Sequence, residues 1–533
     1  MKAVLLVLAC ALYGTSWSQG CGPMPKQAGV EALPSGTILD HVGSSDMPIS
    51  TKSEKAKVFC RQGFALIHCF WFKQGIQSFR DAVKEDPMCA IAWCGLAFSL
   101  TQPWQREEDY KAEAEYAVKR AIANIDGASE PEQDLIRACA LRAGYGDRDP
   151  QFEKAMTAIV SKYPLNEPRL LWAGLRCQLC MHNYESNGDP RGDLQFVIKL
   201  IEPILKRDPN CIGALHYAIH AYEPSSPQKA VDAARKLEKI GAGSAHMLHM
   251  PGHIFNRVGY YAEAQDAFAK ARAMDEDIAK RLKVSPGQAD WQYGHNIQFQ
   301  CINLAEMGRM KDAATSGGPF GQADSLAWRR GDWKALTGGS GWKTDQEANP
   351  STRTAYRGLA ALAENDIATA TAKQAALRTY LAAHPDSEDM TGLRILRTLT
   401  QELEGQLLIR TGDQEGGIKK LRDATVTFAT IAYYEPPQYL RPPQEALGYA
   451  LIDAGRTDDA VKAFKDGLKE RPNSGWMYYG IALAYEKGGR PKDAEKAYND
   501  LHKMWSTADA DLPQIVHANE FLAAARAKRP SRS

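Results

Sequence analysis

The sequence predicts an all-α protein in which pairs of helices stack into a solenoid. Its 533 residues are far more than one hydrophobic core requires, so the chain needs several domains or a modular array. Little of it shows the alternating apolar pattern of strands, and a helix-turn-helix pattern recurs along it. We expect about eleven helical pairs, several of them degenerate, between about residue 55 and residue 527.

The repeat is clearest in residues 60–100. Gly63, Phe79, Ala82 and Pro87 occupy the small, aromatic, small and proline positions of a unit of about 34 residues. The small residues let two antiparallel helices approach, the aromatic ring fills the space between neighbours, and proline ends the second helix. The pattern recurs in residues 252–275 and 446–498, and it resembles the tetratricopeptide repeat.

The first residues have the composition of a secretory signal. An apolar run from Ala3 to Leu12 follows Lys2, and small or polar residues follow the run. The run is too short to span a bilayer, and no later segment offers about eighteen apolar residues in succession. We therefore expect a signal peptide at residues 1–19, no transmembrane segment, and a secreted or periplasmic protein.

Four further regions are expected after the signal peptide. Glycine and tryptophan interleave in residues 315–352, which indicates a long ordered loop or a distorted repeat. The expected regions are an N-terminal extension at 20–54, an N-terminal superhelix at 55–314, the Gly/Trp-rich insertion at 315–352, and C-terminal repeats with a cap at 353–533.

The charge of the chain gives no sign of a nucleic-acid partner. Lys and Arg total 65 and Asp and Glu 64, which gives a formal net charge of +1.

The cysteines predict a disulfide bond. In an oxidising compartment we expect at least one disulfide within residues 60–211, with Cys60 and Cys94 one candidate pair. For Cys177 and Cys180 a short-loop disulfide or two core thiols is favoured over a metal site, because no second such pair accompanies them.

A narrower resemblance rests on four segments. They are GALHYAIHAYE at 213–223, GAGSAHMLHMPGHIFNRVGYYAEA at 241–264, YGHNIQF at 293–299 and YYEPPQYLRPPQEALGYALIDAGR at 433–456. Together they resemble a family of large secreted or periplasmic tetratricopeptide-repeat proteins with a histidine-rich central region, over about residues 58–505. The resemblance implies the fold and names no reaction. Phe72 and Gln298 stand where the family usually has histidine.

Six histidines fall at positions that face one groove. In the first helix of such a repeat, the second, fifth, ninth and twelfth places line the concave surface. These places hold His216, His220 and Glu223 in one unit, His246, His249, His253 and Asn256 in the next, and His295 and Gln298 in the third. The first set depends on counting from Pro209, because counting back from Ala230 shifts it by one place.

The cluster predicts a transition-metal site. Neutral imidazole is a common ligand of zinc, copper, iron and nickel, and six histidines leave room for two ions. We expect His249 and His253 at the centre of the site, with Glu223 or Asn256 orienting a ligating ring. Gln298, and Glu435 on a turn before two prolines, are further candidates, although Glu435 also fits a structural turn. The alternative is that the histidines are structural, satisfied by backbone carbonyls and Glu223.

Two functional classes remain open. One is a secreted metal-binding protein, with copper, zinc or iron the candidate ions, whose site fits a metal-dependent enzyme acting on a small molecule. The other is a scaffold that holds a peptide or partner protein in the same groove. The sequence carries no phosphate-binding glycine loop, GxSxG elbow or HExxH helix.

Overall fold

A computed structural model describes most of the chain and confirms the all-α prediction. The described residues are 27, 29–103, 108–142, 149–178, 192–290, 292–317, 323–337, 352–385, 390–431, 433, 435, 437 and 440–527. These residues contain 26 α-helices and no β-strand. The expected signal peptide lies outside them.

The first fifteen helices carry the N-terminal half of the solenoid. They are α1 Glu54–His68, α2 Phe72–Glu85, α3 Ala90–Leu100, α4 Glu108–Ala123, α5 Glu130–Leu141, α6 Pro150–Lys162, α7 Glu167–Gln178, α8 Gly192–Arg207, α9 Ile212–Tyr222, α10 Val231–Ile240, α11 Ala245–Arg257, α12 Tyr261–Leu282, α13 Pro286–Ala289, α14 Gln292–Glu306 and α15 Met310–Ser316. Single turns of 3-10 helix at Ile125–Gly127 and Pro227–Ala230 join two of these pairs.

The remaining eleven helices form the C-terminal half. They are α16 Ala323–Arg330, α17 Trp333–Thr337, α18 Thr352–Ala363, α19 Ile367–Ala383, α20 Met390–Arg410, α21 Gln414–Phe428, α22 Pro443–Asp453, α23 Thr457–Glu470, α24 Gly475–Lys487, α25 Pro491–Met504 and α26 Pro513–Ala527. Helices α16 and α17 lie within residues 315–352, where a loop or a distorted repeat was expected. Residues 318–322 and 338–351 of that stretch lie outside the described chain.

Phenylalanine rings held between glycines join consecutive helical pairs. A Cβ on Gly63 of α1 would lie 2.7 Å from the Phe79 ring of α2, and one on Gly95 of α3 would lie 2.1 Å from the same ring. Gly448 and Gly480 have the same relation to Phe464, at 2.5 and 2.2 Å. The small and aromatic positions of the repeat therefore pack against each other, as the sequence pattern predicts.

This packing gives the first testable prediction. Gly95→Ala places a methyl group inside the space of the Phe79 ring, so we expect a loss of about 1–3 kcal/mol in the free energy of unfolding, measured by chemical denaturation. Gly127→Ala is the matched control, because no atom lies within 4 Å of its added Cβ. Equal stability of the two variants would show that the ring is not held between the glycines.

The C-terminal repeats return to pack on the middle of the chain. The indole N–H of Trp476 on α24 donates to the carbonyl oxygen of Ala305 at 2.9 Å, and that of Trp505 donates to the carbonyl of Glu306 at 2.7 Å. Both acceptors end α14. Residues 431–441 lead into these repeats, and the hydroxyl of Tyr433 in this stretch donates to Glu223 in the middle of the chain.

Seven described cysteines are unbridged thiols. They are Cys60, Cys69, Cys89, Cys94, Cys139, Cys211 and Cys301. The disulfide expected within residues 60–211 is therefore absent among them, and Cys60 and Cys94 form no groove disulfide. Cys94 instead contacts α5, where the Cys139 thiol donates to its carbonyl oxygen at 3.8 Å. Cys180 lies outside the described residues.

None of the described helices combines the length and the apolar content needed to cross a membrane.

Candidate metal centre

Three consecutive first helices bring the six predicted histidines together as two groups of three. We call His216, His220 and His246 the first triad, and His249, His253 and His295 the second triad. In each triad the three candidate ligand atoms all lie within 4.8 Å of one another. Helix α9 supplies two members, α11 three and α14 one. The triads are adjacent, since the rings of His246 and His249 are 6.1 Å apart between centroids.

Helix α11 owes its position to one glycine. A Cβ on Gly252 would lie 2.5 Å from the Phe268 ring of α12, so only glycine allows this close approach. Pro251 precedes this glycine and lies in the middle of α11. His249 and His253 stand four residues apart on either side of this pair and therefore share one face of the helix.

In the first triad, Nε2 of His216 is the common neighbour. It lies 3.0 Å from Nε2 of His220 and 3.1 Å from Nε2 of His246. Two nitrogen ligands of a tetrahedral zinc ion stand about 3.3 Å apart, so little movement would be needed to receive an ion. Nδ1 of His246 is buried and has no hydrogen-bond partner in the described part of the chain.

In the second triad, Nε2 of His253 lies 2.5 Å from Nε2 of His249. Nδ1 of His249 faces Oδ1 of Asn296 at 2.8 Å, and Nδ1 of His253 faces both carboxylate oxygens of Glu223, at 2.9 and 3.0 Å. The Asn296 amide orientation is set by its own donation to the carbonyl of Phe268 at 3.0 Å. Both Nδ1 atoms are therefore donors.

These contacts fix the tautomer of three rings. In a neutral imidazole that donates through Nδ1, Nε2 carries a lone pair and no proton. This holds for His249 and His253, and also for His216, whose Nδ1 donates to the main-chain oxygen of His68 at 2.6 Å. Metal-binding histidines commonly have such a partner on the second nitrogen.

Glu223 connects the second triad to residues 431–441. Its carboxylate accepts hydrogen bonds from Nδ1 of His253 and from the hydroxyl of Tyr433. It also bonds to Glu435, whose Oε2 lies 3.7 Å from Nδ1 of His253. Burial raises the pKa of Glu223 to about 7 and, together with the Glu223 charge, that of Glu435 to about 8. Glu435 therefore holds its proton more tightly than Glu223 and is the donor between the two carboxyl groups. The atoms of His220, Glu223 and Glu435 form a third group within 4.8 Å.

The protein encloses both triads in apolar surroundings. The Phe70 ring, on a residue with φ of +54°, lies 4.6 to 5.6 Å from the three rings of the first triad. The Phe299 ring lies 4.1 to 5.5 Å from those of the second. Loss of solvent lowers the pKa of every histidine in both triads, to about 3 for His216 and His295 and about 4 for His253. The imidazoles are therefore neutral, which is the form that binds metals.

The structure places two of the predicted orienting residues elsewhere. The Asn256 amide donates to Oδ1 of Asn303 at 3.0 Å and does not reach a histidine ring. Gln298 lies half-buried on α14, one turn after His295, and makes no hydrogen bond to either triad in the described chain. The sequence interpretation missed Asn296, Tyr433 and the main-chain oxygen of His68.

The comparisons with known proteins concern the repeats. The tetratricopeptide repeat family matches residues 445–509. Over 80 residues the chain is 30% identical to cellulose synthase operon protein C of Xanthomonas axonopodis pv. citri (strain 306), a match that covers 15% of this chain and 5% of that protein. Residues 445–509 coincide with α22 to α25, where Phe464 packs between two glycines.

Two solved structures share a low overall similarity with the chain. The APC/C hetero-tetramer Cut9-Hcn1 aligns with 88% of this chain and 76% of its own, at 15% identity and a TM-score of 0.29. The human IFIT1 dimer with PPP-AAAA aligns with 85% of this chain and 92% of its own, at 11% identity and a TM-score of 0.32.

Proposed function

We propose that this helical-repeat protein binds two transition-metal ions, one in each histidine triad. The observation that carries the proposal is the contact between His249 and His253. Both rings commit Nδ1 to an acceptor, so two Nε2 lone pairs face each other at 2.5 Å. Facing lone pairs repel, and a cation between them removes the repulsion.

A metal ion fits this position better than a proton does. Burial opposes a charge on either ring, and it lowers the pKa of His253 to about 4 and that of His249 well below its ordinary value. A structural role for the histidines would leave each ring nitrogen with a complementary partner. With both Nδ1 atoms donating, the two Nε2 atoms lack such a partner in each other, which favours the metal proposal.

Ligand chemistry points to zinc, copper or iron. Each triad offers three neutral nitrogens and no thiolate, since the described cysteines lie outside both groups. Three protein ligands leave a fourth coordination position for water or substrate, as in catalytic zinc sites, whereas structural sites supply four ligands. The geometry therefore supports a metal-dependent activity on a small molecule. Export by the N-terminal signal remains part of this proposal.

The other candidate is a peptide- or protein-binding scaffold, because tetratricopeptide repeats commonly serve as one. Elemental analysis of chain purified without a histidine tag separates the two. We expect two bound transition-metal ions per chain, one for each triad, and their release by a chelator should lower the melting temperature. A chain without metal, which takes up none when zinc, copper or iron is supplied, would exclude the metal proposal and leave the scaffold.

A further inference from the structure

A second polar region lies beside the metal centre, where α12, α14, α16, α22 and α24 meet. Its centre is the guanidinium of Arg329, whose side chain is almost fully buried. Nη1 of Arg329 donates to Oε2 of Glu445 at 2.6 Å, and the guanidinium stacks on the Trp476 ring at 3.9 Å. Nη2 has no hydrogen-bond partner in the described part of the chain.

Tyr261 offers a second unused donor in the same region. The residue is 7% exposed, and its hydroxyl also lacks a hydrogen-bond partner among the described residues. Burial raises its pKa well above the ordinary value, with a further contribution from Glu306, so the hydroxyl keeps its proton. Arg471, Arg257 and Arg329 all act electrostatically on this hydroxyl. Burying a hydrogen-bond donor without an acceptor costs folding free energy, and this region has two such donors. Their presence indicates a site for a ligand that supplies acceptor atoms.

Each guanidinium in this region has a carboxylate near it. Arg329 is paired with Glu445, and Arg471 with Glu306, with Nε 3.8 Å from Oε1. Arg257 lies near Glu223 and lowers the pKa of that carboxyl. What remains without a partner is therefore the pair of donors, Nη2 of Arg329 and the hydroxyl of Tyr261. A group with several acceptor atoms would satisfy both, and a carboxylate is an acceptor that guanidinium binds strongly.

We propose that this region binds the carboxylate of a small organic acid through Nη2 of Arg329 and the hydroxyl of Tyr261. Carboxylate carries a single negative charge and accepts from several donors at once, and Arg with a hydroxyl is a common pair for it. Arg257 links this site to the metal centre, because it follows His253 by one turn on α11 and its Nε donates to the carbonyl oxygen of Glu223 at 3.4 Å. The proposal does not require a metal ion.

The test is a thermal titration of chelator-treated protein with sodium acetate. Sodium chloride at the same ionic strength and sodium phosphate are the comparison salts. We expect acetate to raise the melting temperature with saturation and chloride not to. A larger shift with phosphate would overturn the assignment to carboxylate, and equal shifts with acetate and chloride would overturn the site.

Two conservative variants separate binding from folding. Tyr261→Phe removes only the unpartnered hydroxyl, so the melting temperature without acetate should stay the same or rise, and the acetate dissociation constant should increase about tenfold. Arg329→Lys keeps a positive charge next to Glu445 but loses the Nη2 donor of the guanidinium group. It should also increase the acetate dissociation constant about tenfold.

Tyr356→Phe is the matched control. Its hydroxyl is also buried but bonds to Ser325 at 3.3 Å, so the variant should leave acetate affinity unchanged. If Tyr261→Phe instead lowers stability and keeps full acetate affinity, water satisfies the hydroxyl and the proposal is wrong.

Discussion

Replacing His249 and His253 together by Ala should halve the metal content of the purified chain, from two ions to one. The two residues supply two of the three ligands of the second triad, and the first triad consists of other residues. For metal in large excess over its dissociation constant, the variant should lose about 4 kcal/mol of metal-dependent stabilisation. Elemental analysis and thermal melts with and without chelator measure both quantities.

Burial makes a second variant necessary. His249 and His253 are 2% and 1% exposed, so the double Ala variant leaves space in the interior and will lose stability without metal as well. His249→Leu with His253→Leu fills that space and removes the facing lone pairs, so its metal-free form should be the more stable of the two. His384→Ala with His502→Ala removes two histidines outside the triads and should keep both ions. Full metal content in either double variant at 249 and 253 would place the ions elsewhere.

The repeat pattern was enough to predict which histidines meet. Gly252 marks the small position of its unit, and the glycine contact with Phe268 fixes how α11 lies against α12. Once that position is known, helical periodicity places His249 and His253 on the groove side. The same count in the neighbouring units brings His216 and His295 to the same side, because stacked repeats share one orientation.

The partners of the rings could not be predicted in the same way. Nδ1 of His249 bonds to a residue 47 positions away and Nδ1 of His216 to one 148 positions away, while Tyr433 reaches Glu223 across 210 positions. Such contacts depend on how the solenoid curves, and a local pattern does not encode curvature. Asn256 illustrates the limit, since its helical phase suits the role that Asn296 fills from α14.

The sequence places the six histidines on the lining of a concave groove. The structure instead buries most of them, because Phe70, Phe299 and the described residues of 431–441 lie against the rings. Phe70 provides no periodic signal, as it belongs to the turn after α1 and has a left-handed backbone conformation that is unusual for a bulky residue. This backbone conformation of Phe70 is strained, and strained residues cluster at functional sites.

Glu223→Gln should lower the metal affinity of the second triad by about 10- to 100-fold and leave the first triad unchanged. The Glu223 carboxylate accepts from His253, Tyr433 and Glu435. Gln has the same size but only one acceptor oxygen, and its amide nitrogen would face one of these donors. The His253 ring would therefore lose both its fixed orientation and the negative charge that makes Nε2 a better ligand.

A calorimetric titration of the metal-free variant with zinc measures the change in metal affinity. We expect two binding phases, with weaker zinc binding in one of them. Glu306→Gln is the matched control, since Glu306 is as buried as Glu223 but bonds to Ser474 at 2.8 Å and lies outside both triads. Circular dichroism should show the same helical content in both variants. If the Glu223→Gln titration superimposes on that of the unmodified chain, Glu223 does not orient a metal ligand, and its contact with His253 serves only to satisfy two buried polar groups.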